Sequence, residues 1–144
     1  MEWLKYVIDY GIIGLLVLMS VIAVAIGIER YLLFKKIKTV EFVDRRSLEL
    51  ILTAKLHVIA SIGSNAPYIG LLGTVLGIML TFYSMGQTGL MDSGKIMIGL
   101  ALALKVTAVG LLVAIPAMTI YNFLIRKSKV LIMEWEINNG RKRL

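Results

Sequence analysis

The chain is 144 residues long and 58% hydrophobic, with a mean hydropathy of +0.84, too apolar for a soluble domain that must cover its surface with polar groups. It has no cysteine and one histidine, His57, which excludes disulfides, thiolate metal sites and an imidazole cluster. The net charge of +7 would suggest nucleic acid in a soluble protein, but its distribution assigns it to membrane topology and gives no nucleic-acid partner.

Three apolar runs, residues 7–34, 66–88 and 96–125, exceed the roughly 20 helical residues that cross a hydrocarbon core. Each reads as a helix, because backbone groups in lipid must be satisfied within their own segment. The expected fold class is therefore all-α, a polytopic membrane protein with three transmembrane helices. The first run contains Ala23-Val24-Ala25, which superficially matches a signal-peptidase site. The apolar run continues through Ile28, however, and the preceding flank sets Glu2 and Asp9 against Lys5, the wrong charge for an exported leader. It reads as a retained helix.

Of 16 Lys and Arg, six (Lys35, Lys36, Lys38, Arg45, Arg46, Lys55) lie between the first two runs and six (Arg126, Lys127, Lys129, Arg141, Lys142, Arg143) follow the third. The positive-inside rule then puts the N-terminus and the 86–95 loop outside and the 35–65 segment and tail in the cytoplasm. The chain divides accordingly into an N-terminus with the first transmembrane helix (1–34), a cytoplasmic helical segment (35–65), the second and third transmembrane helices with a short outer loop at 86–95 (66–125), and a cytoplasmic tail (126–144).

Helix one leaves the membrane through Ile28-Glu29-Arg30-Tyr31 and lysines, an aromatic and cationic exit. Residues 44–61 space Leu48, Ile51, Leu52, Leu56 and Ile59 helically, predicting an amphipathic helix that leads into helix two, with His57 on its surface. Gly63-Ser64-Asn65 and Pro67 mark either a helix start or a kink. Helix three is expected to continue into the cytoplasm over Val130–Ile137 and to end at Asn138-Asn139-Gly140. That leaves a basic tip suited to anionic lipid.

On a helical wheel Gly70, Thr74, Gly77, Thr81 and Ser84 fall within about 80°, and in helix three Gly99, Ala103, Thr107, Gly110, Ala114 and Ala117 fall within a similar arc. Two readings follow from the spacing. The stripes, with Gly73 beside them, are packing seams that let backbones approach closely, each threonine bonding back to its own helix. Alternatively Thr74 and Thr107 present hydroxyls to a narrow lumen. Pro116 removes a backbone bond in helix three, either tolerated by its neighbours or widening a pore mouth.

Ala66-Pro-Tyr-Ile-Gly-Leu-Leu-Gly-Thr-Val-Leu-Gly77, followed by Ala103-Leu-Lys-Val-Thr-Ala-Val-Gly-Leu-Leu-Val-Ala-Ile-Pro-Ala-Met-Thr-Ile-Tyr-Asn122, resembles the ExbB/TolQ/MotA proton-channel family, most closely its ExbB branch. The resemblance implies a homopentamer around the helix of an ExbD-like single-span protein that supplies a membrane aspartate, in the inner membrane of a Gram-negative cell. Proton flow would drive TonB-dependent uptake across the outer membrane through a TonB-like protein. It makes Thr74 and Thr107 the lumen residues. Gly70, Gly73, Gly77, Thr81, Ser84, Ala103, Gly110, Ala114 and Pro116 would serve helix packing and partner contact. The family usually carries a glutamate five residues before the helix-three threonine, where this chain has Leu102, and no other acid lies in the spans between Asp9 and Glu29 or after Tyr68 until Asp92; if protons cross, the titrating carboxylate must come from another chain.

Lys105 stands about 160° from Thr107 on the wheel. It can snorkel to the outer interface, pair with an acid of the partner, or contact anionic lipid. No nucleophile with a base, paired carboxylates, metal cluster or phosphate loop is seen, so neither an enzyme nor a cofactor is expected. The alternatives to the ExbB reading are a TolQ-like subunit serving envelope integrity and a passive structural membrane oligomer. A solute transporter would require repeated halves and broken helices that this chain lacks.

Overall fold

A computed structural model describes residues 2–89 and 91–142. Four α-helices and one 3-10 turn account for most of them: α1 (Glu2–Lys36), the turn Thr39–Glu41, α2 (Arg45–Thr53), α3 (Leu56–Thr88) and α4 (Ser93–Lys142). Among the described residues no strand occurs. α1, α3 and α4 are each long and apolar enough to cross a membrane. At a rise of about 1.5 Å per residue α4 is roughly 75 Å long, far more than the ~30 Å hydrocarbon thickness, so it projects well beyond any bilayer.

α1 and α4 run in the same direction and α3 runs against both, with the α3–α4 interface the most extensive. One end of the bundle holds the α3–α4 loop and the start of α1, and is called the loop end below. The opposite, basic end holds the lysines that close α1, together with α2 and the C-terminal part of α4.

At the loop end α3 closes on Gly89. Gly89 adopts φ +66° and its N–H caps Met85 O at 3.1 Å, a left-handed closure that glycine makes without Cβ strain. Asp92 then accepts from Gly94 N at 2.9 Å, satisfying a donor of the first turn of α4.

At the basic end the amphipathic stretch is helical, as its spacing predicts, but divided. α2 is capped by Asp44 Oδ1, which accepts from Arg46 N at 3.2 Å, and it stops where Lys55 takes φ +66°. Leu48, Leu52, Leu56 and Ile59 are buried across the break, whereas Ile51 turns outward and offers its backbone carbonyl to Arg30. α3 starts there, so Gly63-Ser64-Asn65 and Pro67 lie within a continuous helix. Neither do Asn138-Asn139-Gly140 end the last helix, which runs on to Lys142. Arg143, the last cation of the basic tip, lies outside the described residues.

The α2 region is tied down by polar contacts that sequence spacing does not reveal. Arg30 is 8% exposed and donates from Nη1 to Ile51 O at 2.8 Å. Glu29 bridges Arg30 at 3.2 Å and Lys55 at 2.9 Å. Trp135 Nε1 donates to Phe42 O at 2.8 Å and Arg45 pairs with Glu136 at 2.6 Å, so the extension of α4 holds the α1–α2 connection.

Candidate functional site: a hydroxyl pair on a glycine seam

The small-residue stripes of α3 and α4 face each other within the one chain. A Cβ added to Gly70 would stand 3.0 Å from Val106 O and 3.2 Å from Gly110 Cα, and one added to Gly110 would stand 2.8 Å from Ala66 O. These are backbone contacts, the close approach that holds helices together where lipid removes the hydrophobic drive. Gly73 is filled by Val106 Cγ1, Gly77 by Ala103 and Gly99 by Thr81. Ala103, Ala114 and Ala117 are buried.

Thr74 and Thr107 meet on this seam, hydrogen-bonded hydroxyl to hydroxyl. Thr74 Oγ1 also lies 2.9 Å from Ala103 O and 3.3 Å from Gly70 O, and Thr107 Oγ1 lies 3.4 Å from Gly70 O. The bonding is therefore more than the back-bond to the residue's own helix that the sequence suggested, because Ala103 O and Gly70 O cross the interface. Two hydroxyls carry two protons. Either Thr107 donates to Thr74 and Thr74 to Ala103 O, or Thr74 donates to Thr107 and Thr107 to Gly70 O. The pair can reverse its polarity without gaining charge.

Its position relative to α1 matters. Ile12 Cδ1 stands 3.2 Å from the place a Gly73 Cβ would occupy, and Val106 fills the same place. Gly73 and Val106 each precede a threonine by one residue, about 100° of helix rotation. α1 thus covers the Gly73/Val106 flank and the hydroxyls lie toward the other. Thr74 is 7% exposed and Thr107 is half-buried, so the pair sits just inside the uncovered margin.

The remaining expected residues divide. Thr81 donates to Gly77 O at 2.9 Å and packs on Gly99. Ser84 and Pro116 are exposed and apart from the seam, Leu102 is half-buried, and Lys105 is exposed. Among the described residues no three His, Cys, Asp or Glu side chains converge. What sequence reasoning passed over is the Glu29–Arg30–Lys55 cluster. Its only linear trace is two adjacent opposite charges closing an apolar run.

Taken together, three long apolar helices and a part-buried hydroxyl pair on a glycine seam define a multi-pass helical membrane protein with a polar site inside its span region. Residues 27–137 match the MotA/TolQ/ExbB proton channel family, and the chain belongs to that family. It is 54% identical over 140 residues to the biopolymer transport protein ExbB of Aquifex aeolicus, covering 97% of this chain and 95% of that one. It is 56% identical over 134 residues to the putative biopolymer transport protein ExbB-like 2 of Helicobacter pylori (93% and 89% covered). To the biopolymer transport protein ExbB of Helicobacter pylori it is 47% identical over 137 residues (95% and 94% covered).

Proposed function

We propose that the chain is the channel subunit of an ExbB–ExbD-type motor, which uses the proton motive force of the inner membrane of a Gram-negative cell to drive TonB-dependent uptake across the outer membrane. The observation that carries the reading is the Thr74–Thr107 pair on the flank of the seam that α1 leaves uncovered. Copies arranged with that flank inward, as a homopentamer, would line a central passage with a ring of hydroxyls. Residues 66–88 and 96–125, which form the seam, contain no Asp or Glu, so the titrating group would be an aspartate on the helix of an ExbD-like partner. The hydroxyls would hydrogen-bond that carboxylate, or water beside it, in either protonation state. The chain itself transfers no covalent group and works as a channel, not an enzyme.

The orientation in this reading has the loop end outside. What supports it is that twelve of the 16 Lys and Arg fall, in the sequence, between the first two apolar runs or after the third, as the positive-inside rule requires of cytoplasmic segments. There the cations would also attract anionic lipid and the TonB-linked assembly would have its cytoplasmic base. The names of the relatives favour ExbB over a TolQ-like role in envelope integrity.

The test is Thr74→Val and Thr107→Val, which keep side-chain shape and delete the hydroxyl, assayed by growth on scarce iron chelates. Loss of uptake at unchanged protein level and assembly is expected. Full uptake by both variants would leave only the passive scaffold, which the intrachain glycine seam also suits.

A further inference from the structure

Short of the Glu29–Arg30 exit of α1, the three apolar stretches carry two charges of opposite sign. Residues 6–28 of α1 hold one ionisable acid, Asp9, and no base; residues 96–125 of α4 hold one base, Lys105, and no acid; residues 66–88 of α3 hold neither. Neither charge has an ion-pair partner among the described residues. Asp9 is half-buried and Lys105 exposed.

Helix geometry brings the two together. Ile120 Cγ2 lies 2.9 Å from where a Cβ on Gly27 would stand, and the Tyr31 and Phe123 rings are 6.4 Å apart. These contacts fix which meridian of α1 faces α4 and the converse. Asp9 precedes Gly27, and Lys105 precedes Phe123, by eighteen residues, about five full helical turns. Asp9 therefore lies on the meridian of α1 that touches α4, and Lys105 on the meridian of α4 that borders α1. The two helices run in the same direction, so the register set by Gly27 and Ile120 puts Asp9 level with position 102. Lys105 is about 4.5 Å further along. Side chains lean toward their helix N-terminus, and a lysine's flexible four-carbon stem covers that offset. α1 is still seated at this depth, because Ile12 and Val106 both pack into the space beside Gly73.

We propose that Asp9 and Lys105 of the same subunit form an ion pair that fastens the loop end of α1 to α4. A charge at this depth is costly unless it is paired or reaches the interface, and the pair neutralises both span charges at once. Other partners are poorly placed. Asp92, the acid just before α4, is thirteen residues away from Lys105, about 20 Å along the axis. Lys5 lies one turn from Asp9 on the same face of α1, where it is half-buried, but it leaves Lys105 unanswered. The pair relies on the reach of the lysine stem. It also withdraws Lys105 from contact with a partner's acid, and it stands whether or not protons pass along the threonine flank.

The test uses the full chain in native membranes. Asp9→Lys and Lys105→Asp each appose like charges and are expected to lower thermal stability, and the reciprocal double variant is expected to recover most of the loss. If the single reversals do not accumulate, Asp9→Asn and Lys105→Gln serve, each expected to be worse than the two combined. Since the native chain has no cysteine, an Asp9→Cys/Lys105→Cys chain can be treated with a short bifunctional thiol reagent that replaces the reach of the lysine stem, which a direct disulfide would lack, and a link within one chain is expected. Additive losses, or the lack of any link within one chain, would overturn the pair.

Discussion

Gly110→Ala is the sharpest probe of the seam. The new methyl carbon would stand 2.8 Å from Ala66 O and 3.0 Å from Gly70 Cα. Both are backbone atoms, with no flexible side chain to swing away. Reaching the 3.4 Å of ordinary contact requires α3 and α4 to part locally by about 0.6 Å, a gap that forfeits a quarter or more of the dispersion energy of each atom pair it opens. Gly70 and Gly77 share the seam, and the Thr74 to Ala103 O bond at 2.9 Å lengthens with it. Overpacking of this kind costs about 1–3 kcal/mol. Gly14→Ala is the matched control, for a Cβ there meets nothing within 4 Å and alanine improves helix propensity by about 1 kcal/mol. Thermal unfolding of the purified protein in one detergent, read by loss of monodispersity, should place Gly110→Ala well below the parent and Gly14→Ala at or above it. Parental stability for Gly110→Ala, or equal damage from Gly14→Ala, would refute the close approach of α3 and α4.

Other predictions test separate parts of the structure. Thr74→Val should cost only about 0.6–1.7 kcal/mol of stability, the range of interhelical hydrogen bonds in membranes, so a large drop in uptake beside a small shift in melting temperature is the expected pattern. Lys55→Gly should match or exceed the parent in stability, since relief of a left-handed backbone that costs a non-glycine residue about 1–2 kcal/mol offsets loss of the exposed pair with Glu29, worth about 0–1 kcal/mol, whereas Lys55→Val, which loses the pair and keeps the strain, should fall below it. Arg30→Met deletes the bond to Ile51 O and should speed tryptic cleavage at Lys38, Arg45 and Arg46 without loosening the α3–α4 seam. For orientation, Met91→Cys, at a position 86% exposed, should react with an impermeant maleimide from the outside of spheroplasts, and Asn138→Cys only after lysis; the reverse order would invert the topology.

How much was legible depended on whether a feature is periodic along one helix. Apolar length declares the spans of α1, α3 and α4, and recurrence at three and four residues declares the stripes of Gly70, Thr74 and Gly77 and of Ala103, Thr107 and Gly110. Both are properties of a single helix, set by pitch and by the cost of unsatisfied backbone in lipid. The same local logic misplaced the end of α4, and of its two readings at Gly63–Pro67, a start or a kink, the start is excluded because α3 is already under way. Gly63-Ser64-Asn65, Pro67 and Asn138-Asn139-Gly140 look like breakers, yet the packing of Gly63 against Met118 and the tie from Trp135 to Phe42 belong to helices that run through them. The true break, at Lys55, has no glycine or proline to announce it.

Sequence alone therefore determined the class of molecule, the number of crossings and the residues free to pack closely. Tertiary structure decided what each stripe meets: Gly70 against Gly110, Thr74 against Thr107, and α1 over one flank of that seam rather than the other. Periodicity fixes angles about one axis, whereas register and azimuth between helices depend on contacts across about 90 residues, such as Gly27 with Ile120. The relation of Asp9 to Lys105, invisible in either helix by itself, comes from that register.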